Sequence, residues 1–129
     1  MASEKKIKVL FLEVQKEPAV LEIDTGLEAM QKLVGGYIEC VPLNDHGLDL
    51  VCNEEGKLKQ NPEWNRTLRM QGKIYDIACG NCFVAKFNAE GEAVSLSDKE
   101  IAAQTDFWSL AKSDGSLPEV LRLMQGMGY

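Results

Sequence analysis

A chain of 129 residues is the size of one domain, and with 45% hydrophobic and 26% charged residues it can build a core without disulfides or a structural metal. Fourteen bases against twenty acids leave a net charge of −6, which disfavours nucleic-acid binding over a whole face. No apolar run approaches the roughly 20 residues of a membrane span. Ile7 to Val14, broken by Lys8 and Glu13, is too short for a secretory leader, so a cytoplasmic protein with Cys40, Cys52, Cys79 and Cys82 as reduced thiols is expected.

Ile7 to Val14 is β-rich and reads as a strand, Gln15 to Pro18 as a turn, and Val20 to Ile23 as a second strand antiparallel to the first. Asp24 or Thr25 is placed to cap a helix with Glu28 in its first turn and Leu27, Met30, Leu33 and Val34 at helical spacing. Gly35-Gly36 ends it, because glycine accepts the left-handed conformation of a C-terminal cap. Tyr37 to Val41 and Leu48 to Cys52 read as a hairpin around Pro42 and the polar turn Asn44-Asp45-His46-Gly47. Asn53 to Gly56 is a turn with glycine where positive φ is wanted.

Residues 57–72 show no clean period and read as a long irregular segment. Ile74 to Phe87 is strand-like, with Gly80 as a bulge or a point of close packing. Asn88 to Gly91 turns into a short strand, Ala93 to Leu96. Ser97 and Glu100 have capping-box spacing for a helix over 98–111, with Ile101, Thr105 and Trp108 or Leu110 along one side. Ser113 to Ser116 is a linker, and Pro118 opens a terminal helix whose stripe is Leu117, Val120, Leu121 and Met124. That stripe packs back on the domain or docks a partner or a second copy, which would give a homodimer. The element order predicts a single α+β domain over 7–112, a mostly antiparallel sheet, flat or curled, flanked by two or three helices, followed by 113–129 as linker and terminal helix.

The segment 57–73 reverses the sign of the chain. Lys57, Lys59, Arg66, Arg69 and Lys73 stand there with one acid, Glu63, and one aromatic, Trp64. Arginine offers forked donors to carboxylate or phosphate, and a tryptophan face can stack on a ring or meet a cation. Lys57, Lys59, Trp64, Asn65, Arg66 and Arg69 are therefore the candidate ligand-binding residues, a set suited to a nucleotide, a nucleic-acid strand or an acidic protein surface, with a protein partner or a small anionic ligand as the expectation. The plainer alternative is a solvated loop in which Trp64 plugs the core.

Cys79-Gly80-Asn81-Cys82 is a CxxC, half of a zinc site or a redox dithiol. A redox pair prefers a helix N-terminus, and the flanks here are strand-like. Two of Cys40, Cys52 and His46 would have to complete a metal set, at spacings that match no standard pattern, so buried packing thiols are the competing reading. His46, the only histidine, sits in a turn composition. Phosphate loops, a nucleophile elbow and HExxH are absent, and nothing identifies an enzyme, a cofactor or catalytic residues.

The run Ile23-Asp24…Leu27-Glu28-Ala29-Met30-Gln31-Lys32-Leu33-Val34-Gly35-Gly36-Tyr37-Ile38-Glu39 resembles a family of small proteins of unknown function from phages, plasmids and integrated mobile elements of Gram-positive bacteria. So do Leu50 to Leu58, Pro62 with Asn65-Arg66, Ile74 to Ala78 with Gly80, and Ser95 to Asp98, over about residues 7–105. The resemblance implies a cytoplasmic accessory protein of a phage or mobile element and carries over no catalytic residue. Two departures stand out: the Pro62–Arg66 segment is one residue longer than the family's pattern, and Cys82 replaces an aromatic, which favours a packing role for it.

Overall fold

The computed structural model describes residues 6–43, 46–56, 63–70 and 73–112. Five strands, β1 (Lys6–Leu12), β2 (Ala19–Asp24), β3 (Ile38–Pro42), β4 (Leu48–Asn53) and β7 (Cys82–Phe87), lie in the order β2-β1-β7-β4-β3. The short β8 (Ala93–Val94) pairs with the end of β7 as the sheet's sixth strand. β5 (Trp64–Met70) and β6 (Lys73–Cys79) form a separate two-stranded ribbon. Every pairing is antiparallel, the sheets do not close into a barrel, and the described helices are α1 (Leu27–Val34) and α2 (Asp98–Phe107). This is the α+β domain the sequence predicts.

Alternation along the strands builds two cores. On one face of the sheet, Ile7 and Val9 of β1, Val51 of β4 and Phe83 and Ala85 of β7 pack against Met30 and Val34 of α1. On the other, Leu10 and Leu12, Leu50 and Cys52, and Cys82 and Val84 pack against Leu68 and Ala78 of the ribbon and against Trp108, just past α2. β7 lies at the centre, so both of its faces are buried and its first four residues are all apolar or cysteine.

The helix ends separate local from distant control. Ser97 and Glu100 form the predicted capping box: Ser97 Oγ accepts from the Glu100 amide at 3.1 Å, and Glu100 Oε1 accepts from the Ser97 amide at 2.8 Å. Gly35 ends α1 in the left-handed region, and its amide donates to the Gln31 carbonyl. The start of α1 differs from expectation. Gly26 is the N-cap, with no side-chain hydrogen bond, because Asp24 is drawn into β2 opposite Lys6. α2 also ends at Phe107 rather than at 111; the chain turns at Trp108, whose indole ring is buried in the core.

Three further expectations are corrected. Residues 64–70 form a strand, not an irregular segment; register shifts between Trp64 and Arg66 and between Leu68 and Arg69 destroy the period that would reveal it. The apparent single strand 74–87 is two strands in different sheets, divided where Gly80 takes φ +77° and Asn81 Oδ1 accepts the Val14 amide. Gly56 lacks the expected positive φ. It is needed for close approach instead, since a Cβ there would lie 2.7 Å from the Cys79 carbonyl oxygen. The linker and terminal helix expected over 113–129, and residues 44–45 of the 44–47 turn, lie outside the described residues. No helix among the described residues is long and apolar enough to cross a membrane.

Candidate functional site

The ribbon divides the predicted site residues. Lys57 and Lys59 lie outside the described residues. Trp64, Asn65 and Arg66 are buried in β5, and only Arg69 is exposed. The structure therefore seats three of the candidates in the interior rather than on an open ligand-facing surface.

Arg66 has no solvent exposure, and its guanidinium is held by oxygen acceptors from distant parts of the chain. Nε donates to the Trp108 carbonyl at 2.9 Å, Nη2 to the Lys16 carbonyl at 2.6 Å, and Nη1 to the Glu13 carbonyl at 3.5 Å and to Asn65 Oδ1. Asn65 Nδ2 in turn donates to the Leu12 carbonyl at 2.6 Å, the Gly80 carbonyl at 2.7 Å and the Cys82 sulfur at 3.4 Å. Positive φ at Gln15 shapes the β1–β2 turn, whose Glu13 and Lys16 carbonyls meet Arg66. Burial lowers the Arg66 pKa, while Cys82 and Glu17 act in the opposite sense. The pair thus ties the ribbon to the β1–β2 turn, to the start of β7 and to the end of α2. Trp64 packs with Ile77 and Cys79 on the ribbon's other face, and its indole N–H has no acceptor among the described residues.

Arg69 opens on a cleft of about 340 Å³ between the ribbon and α2, lined by Thr67, Arg69, Ala103, Asp106, Phe107 and Lys112. Ala103, Asp106 and Phe107 share one helix face by their i, i+3, i+4 spacing. Phe107 keeps 49% of its surface exposed, and its ring stands edge-on to Trp108 at 4.9 Å and 81°. Lys112 Nζ pairs with Asp106 Oδ2 at 2.6 Å. Phe107 could be flagged from sequence as an aromatic on the exposed side of a helix. Thr67, Ala103, Asp106 and Lys112 carry no sequence signal, because the ribbon's placement brings them together.

The CxxC does not form a thioredoxin-like site. Cys79 ends β6, Cys82 begins β7, and neither is at a helix N-terminus. Burial pushes the Cys82 thiol far up, Cys52 and Cys79 push in the same direction, and the Arg66 guanidinium opposes them. Such a thiol is a poor nucleophile at neutral pH. Cys40, exposed on the edge strand β3, is also raised, first by desolvation and then by Asp49 and Glu39. His46 is exposed in its turn, and the described residues contain no group of three or more side chains able to hold a metal ion.

Comparison with curated proteins and with solved structures finds no match. A family model does match, across residues 7–109, from the first described strand to just past α2. The chain therefore belongs to the family described as domain of unknown function DUF3846.

Proposed function

We propose that this domain is a non-catalytic accessory binding protein of a phage or mobile element, acting in the cytoplasm, and that it engages a host protein or a small anionic ligand at the cleft between the ribbon and α2. The observation that carries the reading is the placement of exposed Arg69 beside half-exposed Phe107 and the Lys112–Asp106 pair. A guanidinium forks onto a carboxylate or phosphate, and a neighbouring aromatic ring supplies apolar area where such contacts are strongest. The cleft lies within the roughly 300–1,000 Å³ usual for small-molecule sites. Arg66 and Asn65 serve the same site indirectly, by holding the ribbon against the end of α2. Lys57 and Lys59 remain sequence-level candidates for contact with the same partner.

The test is capture from host lysate on the immobilised domain, with proteins and small molecules identified by mass spectrometry. Arg69→Glu combined with Phe107→Ala should reduce the retained partner at least about tenfold, the loss of one charge-assisted contact and one aromatic anchor. Circular dichroism should show the variant folded. An unchanged retained set would remove the cleft as the binding surface.

A further inference from the structure

The end of the β4–β7 ladder brings two thiols into one buried cluster. The paired register runs as far as Leu50 opposite Val84 and Val51 opposite Phe83; the next residues along the two strands are Cys52 and Cys82, which a ladder continued by one step would set opposite each other. Both side chains belong to the core between the sheet and the ribbon. Directly opposed residues of antiparallel strands have Cα atoms about 4.5 or 5.5 Å apart, within the roughly 4.4–6.8 Å that a disulfide spans. The other two cysteines are placed differently. Cys79 packs with Trp64 and Ile77 in a separate cluster, and Cys40, opposite Val51, is exposed on the edge strand.

Cys52 also has a route to small molecules. It lines a crevice of about 30 Å³ between the β3–β4 hairpin and β6, with Glu39, Glu54 and Asp76 among the other lining residues. Space of that size admits a molecule about as large as water. The Cys52 thiol donates to the Glu39 carbonyl at 3.6 Å and lies 4.0 Å from a Glu39 carboxylate oxygen; the buried residue as a whole keeps 8% exposure. Cys82 has none.

We propose that Cys52 and Cys82 form an oxidative modification site, which a peroxide converts into a cross-strand disulfide. The Cys52 sulfur attacks one peroxide oxygen, the O–O bond breaks, and Cys52 becomes a sulfenic acid with release of one water. The Cys82 sulfur then displaces the hydroxyl from that sulfur, the S–S bond forms, and the Cys82 proton leaves with the hydroxyl as a second water. The two thiols lose two electrons, and the peroxide is reduced to two waters. Cys52 reacts first because it borders the crevice; Cys82 resolves from the interior, where burial holds it as the thiol and makes the second step slow. The bridge closes the chain between β4 and β7 and so encloses the whole ribbon, including Arg69. It is independent of the binding role.

The experiment treats the reduced full-length protein with hydrogen peroxide, alkylates it under denaturing conditions and maps its peptides by mass spectrometry. The expected result is an intact mass lower by two hydrogens before alkylation, a Cys52–Cys82 linked peptide, alkylation of Cys40 and Cys79 alone, and full reversal by dithiothreitol. The linkage should disappear in Cys52→Ser and persist in Cys79→Ser. A Cys79–Cys82 linkage, single oxidation of separate thiols, or four unreacted thiols would overturn the proposal. Because the decisive map is made on the wild type, a variant that fails to fold does not shield it.

Discussion

The six-stranded sheet and the two-stranded ribbon bury their residues in different ways. The sheet is closed by apolar alternation: β1, β4 and β7 each send side chains to two cores, one under α1 and one under the ribbon and Trp108. The ribbon buries Asn65, Arg66 and Thr67 in consecutive positions and leaves the Trp64 N–H without an acceptor among the described residues. Apolar burial is non-directional and tolerates modest change in shape, whereas a buried guanidinium is held by a fixed set of acceptors. The sheet thus provides bulk stability. The ribbon's position depends on a few directional bonds that run from Arg66 and Asn65 to three segments, Leu12–Lys16, Gly80 and Trp108.

The largest effect that probes this contrast is expected at the centre of the sheet. Phe83→Ala removes a fully buried ring from β7 and should cost about 3–5 kcal/mol, lowering stability globally in a denaturant titration. Arg66→Met should come next. It leaves the Glu13, Lys16 and Trp108 carbonyls and Asn65 Oδ1 without this donor, at about 2–4 kcal/mol. Its loss should be local: hydrogen exchange should quicken in β5, β6, the β1–β2 turn and residues near 108 while α1 and β3 stay protected. Uniform loss of protection would mean that ribbon and sheet are one cooperative unit.

The smallest effect belongs to the helix that lines the cleft. Ser97→Ala should cost about 1 kcal/mol by removing the cap. Burial raises the Glu100 pKa, but the Ser97 amide and the Lys86 ammonium, 2.9 Å away, outweigh it and leave the group below its ordinary value. A depressed carboxylate contributes stability above its unfolded pKa and loses it as pH falls through the folded one. Glu100→Gln should therefore flatten the acid side of the stability profile; an unchanged acid limb would remove Glu100 from that role.

Legibility in sequence followed the same division. The β1–β2 pair, the β3–β4 hairpin, the Gly35 cap and the Ser97–Glu100 box were readable because their signals lie within a few residues. β5 was not, since two register shifts and three buried polar residues imitate an irregular basic loop. The charge anomaly at 57–73 grouped residues with opposite fates: Arg66 turned inward to carbonyls, Arg69 outward to the cleft. Likewise, the CxxC spacing groups Cys79 with Cys82, whereas the fold packs Cys82 in one cluster with Cys52 and Cys79 in another.

By itself the sequence determined the α+β class, most of the strands, the Gly35 cap and the Ser97–Glu100 box, because periodicity and capping are local and each is written in a short window. The tertiary structure alone decided which polar side chains were consumed by the interior, where the chain passes from ribbon to sheet at Gly80, and which residues line the cleft. Those outcomes depend on carbonyl acceptors some fifty residues away from Arg66 and Asn65, and no local pattern records a partner that only folding brings near.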